Sequence, residues 1–120
     1  MAGFTIHTGV GADTALKTAR KIAKKLGFAT HPVDDWEFTA MKGNLLASIF
    51  LGAFIAYCDF RVCIEEGRNG SMEISIERNT PWWTGVIGVN RVKNQAKALA
   101  DAIEEAILDQ GGDVLKRTEF

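Results

Sequence analysis

The 120-residue sequence predicts one small α+β domain: a βαβ unit followed by an antiparallel meander and a long C-terminal helix, with both helices packed on one face of a mixed sheet. Three observations predict it. The length fits a single hydrophobic core. A content of 47% apolar and 24% charged residues is typical of globular proteins. Segments that alternate apolar and polar residues are interspersed with two segments of helical periodicity. We expect residues 1–112 to form the domain and residues 113–120 to form a flexible tail.

The first two predicted elements are a short strand and a helix. Residues 4–8 alternate apolar and polar side chains, which indicates a strand. After the glycine-containing break at residues 9–11, apolar residues recur at helical spacing. Gly27 is expected to end this helix in a left-handed conformation, with Phe28 packed behind it.

Three further strands are predicted from alternation at residues 34–41, 58–66 and 71–78. Their inward-facing residues are expected to be Trp36, Phe38, Ala40, Cys58, Phe60, Val62, Ile64, Met72, Ile74 and Ile76.

The last two of these strands are predicted to form a hairpin. A three-residue loop that ends at a left-handed Gly70 places Ile64 opposite Ile74 and keeps the apolar faces together. A two-residue loop would instead pair inward residues with outward residues, because a slip of one residue reverses every side chain. We therefore predict the three-residue loop.

The remaining segments are an apolar run and a second helix. Residues 44–56 are spaced for a short helix, but a buried hairpin explains the run equally well, and both interpretations stay open. Residues 90–110 carry an apolar stripe of helical period, and the glycine pair at 111–112 is expected to end that helix.

Topology predicts where an unusual surface lies. If the first two strands are parallel with a right-handed crossover, both helices begin at the end of the sheet that holds Thr8. Residues 9–11, 44–56 and 81–88 then converge there. Helix N-termini attract anions, and the second helix carries two cations in its first turn. The predicted ligand or interface contacts are Phe50, Phe54, Trp82, Trp83, Gly85, Gly88, Arg91 and Lys93.

These residues predict a non-enzymatic binding or interaction domain, because no recognisable catalytic constellation is present. Large exposed apolar patches generally mark contacts, so self-association as a homodimer is the first hypothesis. The alternative is a carrier or sensor of a small apolar anion, such as a fatty acid, or a peripheral membrane contact at the same edge. Two further interpretations also stay open: the apolar segments only cap the core, or the chain is an enzyme that uses Cys63 or His7.

Composition argues against several classes of partner. A net charge of −1 lacks the basic excess of nucleic-acid-binding proteins. The cysteines and histidines lack the paired spacing of a zinc site, and we expect no metal and no cofactor. We interpret Cys58 and Cys63 as reduced thiols of a cytoplasmic protein. The N-terminus lacks the features of a signal peptide, and the longest apolar run falls short of the roughly 17 residues that a transmembrane helix needs.

Two polar features receive a structural interpretation. The first helix carries five cations that suit a membrane surface or nucleic acid. We expect the acidic residues late in a parallel second helix to neutralise them. Cys63 is predicted to point outward, where only Arg61 lies near enough in sequence to lower its pKa. The residues of these two charged faces are Lys17, Arg20, Lys21, Lys24 and Lys25 on the first helix and Asp101, Glu104, Glu105 and Asp109 on the second.

Overall fold

The computed structural model describes residues 3–42, 58–67, 70–78 and 85–119. Within these residues, two helices pack on one face of a six-stranded antiparallel sheet whose strand order is β2-β3-β4-β5-β1-β6. The strands are β1 (Gly3–Thr8), β2 (Ala29–Asp34), β3 (Glu37–Lys42), β4 (Cys58–Glu66), β5 (Met72–Arg78) and β6 (Val114–Glu119). The helices are α1 (Ala12–Lys25) and α2 (Gly85–Asp109).

The predicted mixed sheet with a parallel first pair is wrong. β1 lies between β5 and β6, and three strands separate it from β2. All neighbouring strands are antiparallel. The segment after α1 forms two short strands joined by a tight turn at residues 35–36, rather than one strand over 34–41. Sequence alternation missed β2 because this exposed edge strand has no apolar face and contains Pro32, which only edge positions tolerate.

The hydrophobic core forms between the helices and the sheet. Phe38, Phe60, Ile74 and Ile76 are among its buried residues, as the alternation predicted. Trp36 is an exception, because it lies in the turn between β2 and β3 and is 42% exposed.

The hairpin of β4 and β5 has the predicted register. Ile64 lies opposite Ile74 and Val62 lies opposite Ile76. Gly70 has a φ angle of +75°, which only glycine adopts without strain. The core match therefore decided the loop length.

The end of α1 also follows the prediction. Gly27 has a φ angle of +94°, and the Phe28 N–H donates to the carbonyl oxygen of Ala23 at 2.9 Å. This bond is typical of a Schellman motif. The Phe28 ring then packs on Phe60 with 5.9 Å between ring centroids.

α2 begins at Gly85, whereas the sequence predicted residue 90. The sequence pattern placed Gly85 and Gly88 before the start of this helix. A glycine inside a helix costs only about 1 kcal/mol relative to alanine, which is too little to stop a helix whose later turns are held in the core by Leu99 and Ile103.

The C-terminal segment forms a strand where the sequence predicted a flexible tail. β6 pairs with β1 along residues 114–119. Arg117 contacts Asp101 and Glu104 of α2, and its guanidinium carbon lies 5.2 Å from the centroid of the Phe4 ring. Pairing with β6 satisfies backbone groups that β1 would otherwise present at an open sheet edge.

The two ends of the sheet carry different connections. We call the end where β1 finishes and β6 begins the Thr8 end, and the opposite end, where β3 finishes and β4 begins, the Lys42 end. α1 follows β1 and leads to β2, so it runs from the Thr8 end to the Lys42 end. α2 leads to β6 and runs the other way. The helices are therefore antiparallel, and the predicted parallel arrangement is wrong.

The predicted convergence of three segments at one end is correspondingly revised. Lys42 lies opposite Cys58, and Arg78 lies opposite Phe60, so the described residues that flank 43–57 and precede 79–84 lie at the Lys42 end. Residues 9–11 lie at the Thr8 end, which is the opposite end of the sheet.

Candidate functional site

The eight predicted contact residues fall into two groups. Gly85, Gly88, Arg91 and Lys93 lie in the first turns of α2. Gly85 and Gly88 were expected to precede the helix and instead begin it, whereas Arg91 and Lys93 lie in the helix as predicted. The others, Phe50, Phe54, Trp82 and Trp83, lie outside the described residues.

The Lys42 end is where the two strongly apolar segments of the sequence leave the sheet. Residues 43–57 are rich in leucine, isoleucine and phenylalanine, and residues 79–84 contain two tryptophans. The ladder places their flanking residues Lys42, Cys58 and Arg78 at one end. The sequence predicted that these segments meet beside residues 9–11, but their flanking residues lie at the opposite end of the sheet, because the strand directions differ from those assumed.

The glycine loop at residues 9–11 already holds an anionic group from the same chain. The Gly9 N–H donates to Asp113 Oδ1 at 2.9 Å. The Thr8 hydroxyl donates to the Asp113 carbonyl oxygen at 2.5 Å. An anion at the start of the first helix was a reasonable expectation, and the chain itself supplies it.

The exposed face of the sheet contains a polar group of three side chains that the sequence did not bring together. Glu37 of β3 lies opposite Cys63 of β4. The Cys63 thiol donates to Glu37 Oε1 at 2.8 Å, and Arg61 donates from Nε to the same oxygen. Glu37 is only 9% exposed. The missed signal was alternation, which had already placed Glu37, Arg61 and Cys63 on outward faces of their strands.

This arrangement makes the thiol unreactive rather than nucleophilic. Burial, together with the hydrogen bond to Glu37, raises the pKa of Cys63 to about 12. The thiol and the Arg61 guanidinium both stabilise the carboxylate, so the pKa of Glu37 lies below its ordinary value. Only the thiolate is an effective nucleophile, so at neutral pH Cys63 serves as a hydrogen-bond donor that links two strands.

A shallow cleft lies beside this group. It has a volume of about 380 Å³ and is lined by Asp34, Asp35, Trp36, Glu37, Arg61, Cys63, Ile64 and Glu65. The carboxylate of Asp34 accepts the backbone N–H of Trp36 at 2.8 Å, which is a turn-forming contact. The exposed Trp36 lies beside these carboxylates in the cleft.

His7, the other side chain considered for catalysis, lies on the same sheet face. Its Nδ1 atom is 3.3 Å from Glu73 Oε1, and its Nε2 atom is 3.5 Å from the Thr118 hydroxyl. Neither Glu73 nor Thr118 is an activated nucleophile, so we interpret these contacts as links between neighbouring strands.

The cations of α1 form a second surface, which we call the basic stripe: Lys17, Arg20, Lys21, Lys24 and Lys25. The four lysines are exposed. The predicted neutralisation by α2 is not what the structure shows, because Asp101 and Glu104 contact Arg117 of β6 and Asp101 also contacts Lys97. Among the described residues, no ion pair joins the basic stripe to an acidic side chain, and Arg20 Nε is buried without a hydrogen-bond partner.

Comparisons with known proteins yield no family for this chain: no family model and no curated protein matches it. Within the described ranges, we find no helix with the length and apolar character needed to cross a membrane.

Proposed function

We propose that this chain is a small non-enzymatic interaction domain whose contact surface lies at the Lys42 end. The observation that carries the proposal is the ladder itself. Lys42 pairs with Cys58, and Arg78 pairs with Phe60. The residues that flank both apolar segments therefore lie at one end of the sheet, opposite the Thr8 end.

Self-association is the first use proposed for this surface. Residues 43–57 and 79–84 contain five aromatic side chains of the kind enriched at interface centres: Phe50, Phe54, Tyr57, Trp82 and Trp83. A surface of this composition on a 120-residue chain favours burial against a second copy, since exposed apolar area promotes association.

Native mass spectrometry of the purified protein tests the proposal. A species at twice the 13.1 kDa chain mass is expected. Phe50→Ser with Trp82→Ser should shift the dimer to monomer. Leu115→Ser is the matched control, because Leu115 is 59% exposed and follows Val114 at the Thr8 end. A wild-type monomer, or equal loss of dimer in the control, contradicts self-association through the Lys42 end.

The second candidate is a carrier or sensor of a small apolar anion at the same end. The observation that favours it is the position of Lys24 and Lys25, which are exposed in the last turn of α1 and reach the Lys42 end beside the start of β2. Apolar segments whose flanking residues lie beside ammonium groups suit a fatty-acid-like ligand. In the same spectra, this candidate predicts a reproducible additional mass that organic extraction removes and that the double serine variant lacks.

A further inference from the structure

We infer that the basic stripe of α1 is a docking surface for an anionic lipid bilayer. This surface lies along α1 and does not depend on self-association through the Lys42 end. It extends the peripheral membrane contact considered above to a helix face whose contacts the structure describes.

Charge complementarity is the first observation behind this inference. The lysines at 17, 21, 24 and 25 recur every three or four residues, so they share one side of the helix. Lys25 lies eight positions after Lys17, or about 12 Å further along the axis at roughly 1.5 Å per residue. The opposite side, which includes Ala15, Ala19 and Ala23, is buried against the sheet. The four lysines of the stripe therefore all face solvent on the same side of the helix.

The cations are not neutralised from neighbouring elements. The acidic groups of the two helices are Asp13 of α1 and Asp101, Glu104, Glu105 and Asp109 of α2, and all except the half-buried Glu104 are exposed. None of them forms an ion pair with the stripe in the part of the chain that the structure describes. The layer keeps a surplus of positive charge although the whole chain has a net charge of −1.

The shape of the layer favours a bilayer over nucleic acid. α1 packs beside α2 on the sheet, and two packed helices with axes about 8–10 Å apart are wider than the roughly 12 Å major groove that admits a single helix. Four of the five cations are lysines, which act as point charges rather than as the bidentate forks that read bases. A flat array of ammonium groups suits the plane of lipid phosphates.

Vesicle sedimentation tests the inference. Wild-type protein is expected to bind vesicles of phosphatidylcholine with 30 mol% phosphatidylserine, to release them at high salt, and to ignore pure phosphatidylcholine. Each lysine near an anionic membrane contributes on the order of 1 kcal/mol. Lys24→Gln with Lys25→Gln should therefore lower the partition coefficient roughly thirtyfold.

The matched control is Lys97→Gln with Lys116→Gln, which removes the same charge from exposed positions outside the stripe. It should change binding by no more than about twofold. Equal losses in the two pairs, or equal binding to pure phosphatidylcholine, would overturn the inference. Binding of a DNA duplex without vesicle binding would also overturn it and name nucleic acid as the partner. All four lysines are exposed helix or edge-strand residues, so circular dichroism should show unchanged folding. The dimer mass reports separately on the Lys42 end.

Discussion

The carboxylate of Asp113 accepts a hydrogen bond from the backbone N–H of Gly9, with 2.9 Å between Gly9 N and Asp113 Oδ1. The backbone carbonyl of Asp113 also accepts the Thr8 hydroxyl. These bonds join the end of β1 to the residue that precedes β6. The last strand covers one edge of the sheet, and these hydrogen bonds anchor the residue just before it.

We expect Asp113→Ala to lower the free energy of unfolding by about 1 kcal/mol, because a hydrogen bond to a carboxylate is lost. Amide hydrogen exchange in β6 should accelerate at the same time. Asp109→Ala is the control, since Asp109 is also exposed and forms no ion pair within the part of the chain that the structure describes. Equal effects of the two substitutions on β6 exchange would show that Asp113 does not anchor the strand.

Gly3 and Gly11 should respond oppositely to alanine. A Cβ atom at Gly3 would lie 1.9 Å from the backbone oxygen of Ile76, whereas one at Gly11 would have no atom within 4 Å. Because backbone must move to accommodate it, Gly3→Ala should lower the free energy of unfolding by roughly 2 kcal/mol. Gly11→Ala should leave it unchanged or raise it by a few tenths of a kcal/mol. Urea denaturation measures both, and a similar change in the two variants contradicts the close approach of β1 to β5.

Glu37 should make stability depend on acid pH. Its pKa is lowered in the folded protein, first by the Cys63 thiol and then by Arg61, from an ordinary value of 4.5. The unfolded chain therefore binds the proton first, and stability present above pH 4.5 is lost as the pH falls through the folded-state pKa.

Glu37→Gln is accordingly expected to be less stable than wild type at pH 7, with a difference that shrinks below pH 4.5. Urea denaturation at pH 7, 5, 4 and 3 follows this difference. Glu65→Gln, which removes an exposed carboxylate on the same face of the sheet, is the control. A constant gap between wild type and Glu37→Gln would rule out the proposed coupling.

Cys63 should be a slow thiol. Its pKa of about 12 leaves very little thiolate at pH 8, so in a Cys58→Ser background we expect iodoacetamide to react at least tenfold more slowly with folded protein than with protein unfolded in urea. Adding Glu37→Gln should increase the rate, because a negative neighbour is removed. The unfolded thiol loses its proton near pH 9 and the folded one near pH 12, so this thiol's contribution to stability declines as the pH rises above 9. Equal alkylation rates for folded and unfolded protein would contradict the raised pKa.

Local patterns predicted several parts of the fold well. The hairpin register of β4 and β5 was predicted because only one loop length keeps Ile64 opposite Ile74. The end of α1 was predicted because Gly27 is followed by an apolar residue that closes the turn. Each of these decisions depends on residues close together in the sequence.

Patterns failed where a segment carries little local signal. β2 is exposed along nearly its whole length, so no apolar face marks it. β6 has no continuous buried face, and the contacts that hold it come from Phe4, Asp101 and Glu104, which are distant in sequence. The candidate site was affected in the same way. The direction of each strand decides which loops are neighbours, so one misassigned strand led to the prediction that residues 44–56 and 81–88 lie beside residues 9–11, whereas their flanking residues lie at the other end of the sheet.

The sequence by itself determined the α+β class and the buried faces of the central strands, because periodicity and turn chemistry are local properties of the chain. Only the tertiary structure decided the strand order, the antiparallel helices, the Glu37–Cys63–Arg61 contacts and the exposure of the basic stripe. The physical reason is that these features depend on pairing between segments up to about a hundred residues apart. Such pairing is set by how the sheet edges and the core are satisfied together, and no local pattern records it.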